Sequence, residues 1–383
     1  MAYNVQPAII GCAILPNVSD GRESLEELIY RVSQNALKDA GLGIEDIDGI
    51  VVGANDQMDG RAISVMAASG SVGGVDRDIL STPSSAEHAF VLGALRVASG
   101  LFQTQLIVAW SPTEASPLHE VERLAADPYF HRRLPLDELA AAGLQAGALE
   151  HQVAGVRQAA MGIAQKNRRN GALAYPSSPQ TGDLGAVTRW PLREGMVGLP
   201  ATGAVALVLA GADEVARRKS PDPIWVRGMG WATEGSFLGD RDLGTVPSLA
   251  AAAQMAFHEA GITDPATAFD LAEVADYTPF QELLAYEGLG FCTRGEWADR
   301  VAANTYGPAG SLPVNLSGGS LTCNPTYCTG LIRIAEIANQ LRGRAGAHQR
   351  AGARRGVAHA ASGFAMQYNT VIVLDRSNTG DAA

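Results

Sequence analysis

The stretch "GGSLTCNPTYCTG", residues 318–330, gathers two cysteines, an asparagine and a tyrosine in one glycine-rich run. Cys323 and Cys328 are separated by four residues, but no second cysteine pair or histidine cluster completes a zinc site. With Cys12 and Cys292 they read as small buried thiols in a reducing compartment, and no metal site is expected. Tyr327 brings a phenol, whose unperturbed pKa of about 10 allows proton exchange in both directions once a pocket tunes it. Asn324 can donate a hydrogen bond to an oxyanion but cannot transfer a proton. Asp276 precedes Tyr277, where it would orient the phenol or cap the local turn. Ser84 and Ser85 read as helix N-cap residues, and a Ser85–His88 nucleophile–base pair is the sharper competing reading. His119, His131, His151 and His258 have no partner motif and take no role.

Such residues act only where strands and helices hold them. The chain opens with an apolar strand, "PAIIGCAI", and an amphipathic helix in "SLEELIYRVSQNALKDAG". Ser24 and Glu27 have capping-box spacing, Leu25, Leu28, Ile29, Val32, Ala36 and Leu37 share one face, and Gly41 ends the helix. The β-rich run "IEDIDGIVVGAN" follows. The same order recurs later, with strand "PIWVRGMGW", helix "PSLAAAAQMAFHEAG" ended by Gly261, and the strand and loop of "FDLAEVADYTPF". Each half closes on a β-rich segment, "TGAVALVLAGA" at 202–212 and "YNTVIVLDR" at 368–376. The pattern predicts a duplicated α/β chain with a mixed or parallel sheet covered by helices, divided into halves 1–215 and 216–383. Residues 112–198 are too long for a plain connection and are expected to form a helical excursion over the active site. Its densest basic cluster, "KNRRNG", reads as a solvated helix end, with a contact to cofactor phosphates as the alternative.

A length of 383 residues supports a substantial core, and 46% hydrophobic with 18% charged residues describes a globular enzyme. The net charge of −11 speaks against nucleic-acid binding, which needs clustered Lys and Arg. The N-terminus has no basic region followed by an apolar stretch, and no run is long enough to span a membrane, so the expected location is the cytoplasm.

The quoted segments carry a resemblance. With "STPSSAEHAFVLGALRVASG" at 81–100, "EVADYTPFQELLAYEGLGFC" at 273–292, "NLSGGSLTCNPTYCTG" at 315–330 and "HAASGFAMQYNTVIVL" at 359–374, the chain resembles the thiolase superfamily over nearly its whole length. Within it, the likeness is to the sterol-carrier-protein-thiolase-like branch. The resemblance implies a five-layered α/β/α/β/α thiolase fold, a homodimer formed through the region around 81–110, and a CoA thioester substrate with no other cofactor.

It also implies altered chemistry. A thiolase places its nucleophilic cysteine near Ser85, where a helix N-terminus favours thiolate, and serine has no comparable form. Asn324 stands where a histidine would serve the thioester, Tyr327 stands at a glycine position, and Ser362 and Gly363 occupy the neighbourhood of the acid–base cysteine. His359 corresponds to a structural histidine. Tyr286 and Tyr368 read as packing residues. The pair Tyr277 and Tyr327 looks like that of thiolase-like aldolases that shorten steroid side chains without a nucleophilic cysteine. The implied reaction is retro-aldol cleavage of a β-hydroxy acyl-CoA to a ketone and a shorter acyl-CoA. One tyrosine would take the hydroxyl proton and the other protonate the enolate, with Asn324 and the Gly363 N–H at the oxyanion. A small OB-fold partner subunit is implied as well. The competing readings are a non-catalytic scaffold subunit and an acyltransferase using Ser85.

Overall fold

The computed structural model describes residues 4–16, 23–60, 63–111, 118–176 and 183–378. Among them, nine strands form one mixed sheet. They are β1 (Pro7–Leu15), β2 (Gly49–Gly53), β3 (Asp78–Thr82), β4 (Thr104–Ser111), β5 (Gly203–Gly211), β6 (Ile224–Thr233), β7 (Leu271–Glu273), β8 (Arg355–Ser362) and β9 (Tyr368–Asp375). The order is β3-β2-β4-β5-β1-β6-β9-β8-β7. Read from its own first strand, each half has the same path. β2 runs parallel to β3 and β4, while β5 lies antiparallel between β4 and β1. In the second half β7 runs parallel to β8, and β9 lies antiparallel between β8 and β6. The counterpart of β3 shrinks to a single parallel bridge, Ala272 to Val314. The halves meet where Ala8 and Ile9 of β1 pair with Trp225 and Ile224 of β6.

The strand period of two sorts side chains into layers. On β5, Val205, Leu207 and Leu209 face an inner core while Ala204, Ala206, Val208 and Ala210 face an outer one. On β9, Ile372 and Leu374 face the same inner core, and Val371 and Val373 face a second outer one. The inner core is filled by helices α2 (Ala86–Ala98) and α8 (Thr329–Leu341), through residues such as Phe90, Val97, Leu331 and Ile334. Outside lie α1 (Leu25–Ala40) over the first half, and α6 (Pro247–Ala260) with α7 (Pro279–Gly288) over the second. The result is the expected α/β/α/β/α stacking, with the two sheet halves joined along β1 and β6.

Local signals act as read. Ser24 and Glu27 close a capping box at 3.2 and 2.8 Å, and Gly41 and Gly261 end α1 and α6 in the left-handed conformation. The excursion contains α3 (Leu118–Ala125), α4 (Glu138–Gln152) and α5 (Val156–Ala174). Its opening residues 112–117 lie outside those described.

Candidate active site

A cavity of about 490 Å³ opens where the loops after β3, β7 and β8 meet the starts of α2 and α8. The C-terminal edge of parallel strands is where open α/β folds place ligands, because loops and helix N-termini converge there. The excursion roofs the cavity with Val121, Glu122, His131 and Glu138. Of the residues singled out in the sequence, Ser85, Asp276, Tyr277, Asn324, Tyr327, Ser362 and Gly363 line it.

Asp276 and Tyr277 sit between β7 and α7, whose Thr278 N-cap accepts from the Gln281 amide. Asp276 is fully buried, accepting from the Ser320 N–H at 2.6 Å and from Asn167 Nδ2 at 2.8 Å. Burial, with Glu282 nearby, raises its carboxyl to about 7, against the pull of Arg333. It therefore orients the 318–330 loop and does not merely cap a turn. A Cβ on Gly319 (φ 64°) would overlap the Asp276 carboxylate, which accounts for glycine there. The half-buried Tyr277 makes no side-chain hydrogen bond among the described residues. Burial, then Glu138 and Glu122, push its phenol far up, so it is a phenol and not a phenolate.

Tyr327 is placed differently. Its hydroxyl donates to the carbonyl of Ser84, with that of Thr82 at 3.2 Å, and its own carbonyl accepts from the Ala86 N–H at 3.2 Å. The ring thus ties the 318–330 loop to the start of α2, and burial pushes its phenol up as well. Asn324 spends one amide N–H on Thr326 Oγ1 at 3.2 Å, which leaves a second donor for a ligand oxygen.

Ser85 is the N-cap of α2 by backbone, but its side chain caps nothing. The only hydrogen bond between Ser85 and His88 is from the His88 N–H to the Ser85 carbonyl at 3.0 Å; the His88 Nδ1 lacks a partner and its ring meets Tyr368 edge-on at 6.2 Å. Ser362 Oγ donates to buried Glu87 at 3.0 Å, and Gly363 follows with φ 71°. No cysteine is among the lining residues; Cys12, Cys323 and Cys328 are buried elsewhere, and no metal-binding group occurs among the described residues. His359 is buried against Asn369 at 3.0 Å, where desolvation lowers it to about 4 and keeps it a neutral structural residue. Tyr286 packs on Tyr306 and donates to Glu282, as a packing residue would.

Two readings need correction. The "KNRRNG" cluster is not a solvated helix end. Lys166, Asn167 and Asn170 are buried on the inner face of α5, because Glu282 and Asn315 supply partners there. Only Arg169 among them is exposed. His131, assigned no role, lines the cavity, stacks on Phe237 at 5.4 Å and accepts from the Leu238 N–H at 3.4 Å.

Sequence reasoning also missed Glu87, Glu122 and Glu138. Glu122 accepts from the Glu138 N–H at 3.0 Å and is raised by burial to about 7; burial and Glu122 drive Glu138 well up. A glutamate in a helix reads as solvent-facing; the packing of the excursion turns Glu122 and Glu138 inward, and Ser362 and Gly330 close over Glu87.

Comparison with known proteins agrees with this architecture. Residues 231–376 match the thiolase C-terminal domain-like family. An acetyl-CoA acetyltransferase of Methanothermobacter thermautotrophicus is 36% identical over 159 residues, 41% of this chain and 41% of that one. Sterol carrier protein 2 of Gallus gallus is 34% identical over 165 residues, covering 41% and 29%. A 17-hydroxy-3-oxo-4-pregnene-20-carboxyl-CoA lyase of Mycobacterium tuberculosis is 34% identical over 102 residues, covering 27% and 25%. The matched stretches span less than half the length of each relative. The solved "Ltp2-ChsH2(DUF35) aldolase" superposes with a TM-score of 0.81 over 99% of this chain and 100% of that one, at 20% identity, and shows the same fold. The chain thus has the thiolase fold, its residues 231–376 match the thiolase C-terminal domain-like family, and its partial matches include sterol carrier protein 2.

Proposed function

We propose that the chain is a carbon–carbon lyase that cleaves a bulky β-hydroxy acyl-CoA, of the steroid side-chain kind, by retro-aldol reaction. The observation that carries this reading is a cavity rich in proton-transfer groups whose lining contains no thiol. A retro-aldol step needs a base at the β-hydroxyl, donors at the enolate oxygen and an acid for the enolate carbon, and no acyl-enzyme. The named activity of the lyase relative and the aldolase named among the structural neighbours support it. A volume of about 490 Å³ suits a substrate of that bulk.

Of the two tyrosines, Tyr277 has the unpartnered hydroxyl, whereas Tyr327 donates its proton to main-chain carbonyls. Tyr277 is a phenol, so it takes the substrate proton only by handing on its own. The Glu122–Glu138 pair across the cavity is the acceptor, with Glu122 poised near neutrality. As the proton leaves, the β-carbon becomes a ketone, the Cα–Cβ bond breaks and its electrons form the thioester enolate. Asn324 and the Gly363 N–H hold the enolate oxygen, and Asp276 positions the loop that carries Asn324.

The same reading includes a homodimer through the region around 81–110, where edge strand β3 exposes Leu80, and a small subunit of the DUF35 or OB-fold kind. No helix among the described residues is long and apolar enough to cross a membrane. The test supplies a 17-hydroxy steroid side-chain CoA thioester to the chain, alone and with its co-expressed partner. Mass spectrometry then looks for ketosteroid and propionyl-CoA. Tyr277→Phe is expected to lower turnover ~100-fold or more without loss of folding. No cleavage under either condition would return the protein to the scaffold reading.

A further inference from the structure

We propose that Glu87 and Ser362 form the acid that delivers a proton to the α-carbon of the enolate. This rests on the retro-aldol reading above, which accounts for the hydroxyl proton but leaves the enolate carbon without an assigned donor. Tyr327 does not fill that place, since its hydroxyl is already given to the Ser84 carbonyl.

The pair is built across the two halves of the chain. Glu87 comes from the first turn of α2 and Ser362 from the last residue of β8, and Ser362 Oγ lies 3.0 Å from Glu87 Oε1. Glu87 is 2% exposed, whereas Ser362 lines the cavity, so the carboxyl reaches the substrate only through the serine hydroxyl. The space for the carboxyl depends on Gly330 of α8, where a Cβ would overlap Glu87 Oε2 and meet Ala360 Cβ at 2.8 Å. Ser362 immediately precedes Gly363, whose N–H is assigned to the enolate oxygen. The α-carbon is two bonds from that oxygen, so a hydroxyl one residue away is within reach of it. Burial raises the Glu87 carboxyl, with His88 opposing, which favours the protonated form an acid requires.

The step balances within the site. The enolate electron pair forms a new Cα–H bond with the Ser362 hydroxyl proton, and the enolate C–O bond returns to a carbonyl. Ser362 Oγ receives the Glu87 proton in the same motion, leaving a Glu87 carboxylate that accepts from the Ser362 hydroxyl. The proton released at Tyr277 passes to the Glu122–Glu138 pair, and Glu87 regains one from solvent after the product leaves.

The experiment isolates this half-reaction. The full chain, with its partner where one co-purifies, is incubated with propionyl-CoA in deuterium oxide, and α-deuterium uptake is read by mass spectrometry. Wild type is expected to exchange, and Glu87→Gln and Ser362→Ala to exchange ~100-fold more slowly, with propionyl-CoA affinity held within ~3-fold. Ser362→Thr keeps the hydroxyl and is expected to retain exchange, which a purely structural role for the pair would not predict. Ser362→Ala decides the matter if Glu87→Gln fails to fold. Exchange at the wild-type rate in Ser362→Ala, with steroid-CoA cleavage intact, overturns the pair and leaves the retro-aldol reading standing. Absence of both exchange and cleavage in wild type overturns both.

Discussion

Lys166→Met removes the cation of a buried pair while keeping a side chain of similar length. Lys166 Nζ donates to Glu282 at 2.6 Å and to the Val314 carbonyl at 2.8 Å, with the two side chains 7% and 0% exposed. The variant leaves the Glu282 carboxylate charged, dry and without a counter-ion. Breaking such a pair from one side costs about 3–5 kcal/mol. Asn167 and Asn315 still donate to the carboxylate at 2.6 and 2.8 Å, which sets the expected loss at the lower end, about 3 kcal/mol. At about 2 °C per kcal/mol for a chain of this size, Tm should fall by about 6 °C. Adding Glu282→Gln discharges the stranded group, so the double variant should recover most of the loss. Guanidinium unfolding and thermal melts of the four proteins complete the cycle. A single variant within about 0.5 kcal/mol of wild type, or a double variant no better than the single, would refute the argument that this pair pins α5 to the second half.

Two further outcomes follow from the site's electrostatics and its thiols. Asp276 is raised to about 7, so between about pH 4 and 7 the native chain holds a proton that the unfolded chain has lost. Its contribution to stability is therefore largest in acid and declines as pH rises, by up to about 1.4 kcal/mol per unit. Asp276→Asn should flatten the stability profile in that window, and equal slopes in denaturant melts across the range would contradict it. Iodoacetamide applied to the native chain should label half-buried Cys292 before buried Cys12, Cys323 and Cys328, leaving lyase turnover within ~2-fold. Loss of activity that tracks labelling of Cys323 or Cys328 would put a thiol into the mechanism.

Much of the fold was legible because its signals are local. The capping box at Ser24 and Glu27, the terminating glycines 41 and 261, and the alternation of 203–211 are each set by near neighbours in the chain. The repeated order of those signals was enough for a duplicated α/β chain, and the 318–330 segment pointed to a pocket that Asn324 and Tyr327 line. The functional contrast between the tyrosines was not legible. It depends on whether a carbonyl 243 residues away, that of Ser84, meets the Tyr327 hydroxyl. The excursion was legible as helical but not in its facing, since Lys166 and Asn167 turn inward only because Glu282 waits on α7. Glu87, Glu122 and Glu138 looked like ordinary surface acids for the same reason. Composition, periodicity and motif spacing thus determined the architecture, while the altered catalytic positions, with no cysteine among them, were implied by the family resemblance. Which side chains are buried, paired or left with a free donor was decided only by tertiary packing, because desolvation and charge pairing depend on distances between residues far apart in the chain.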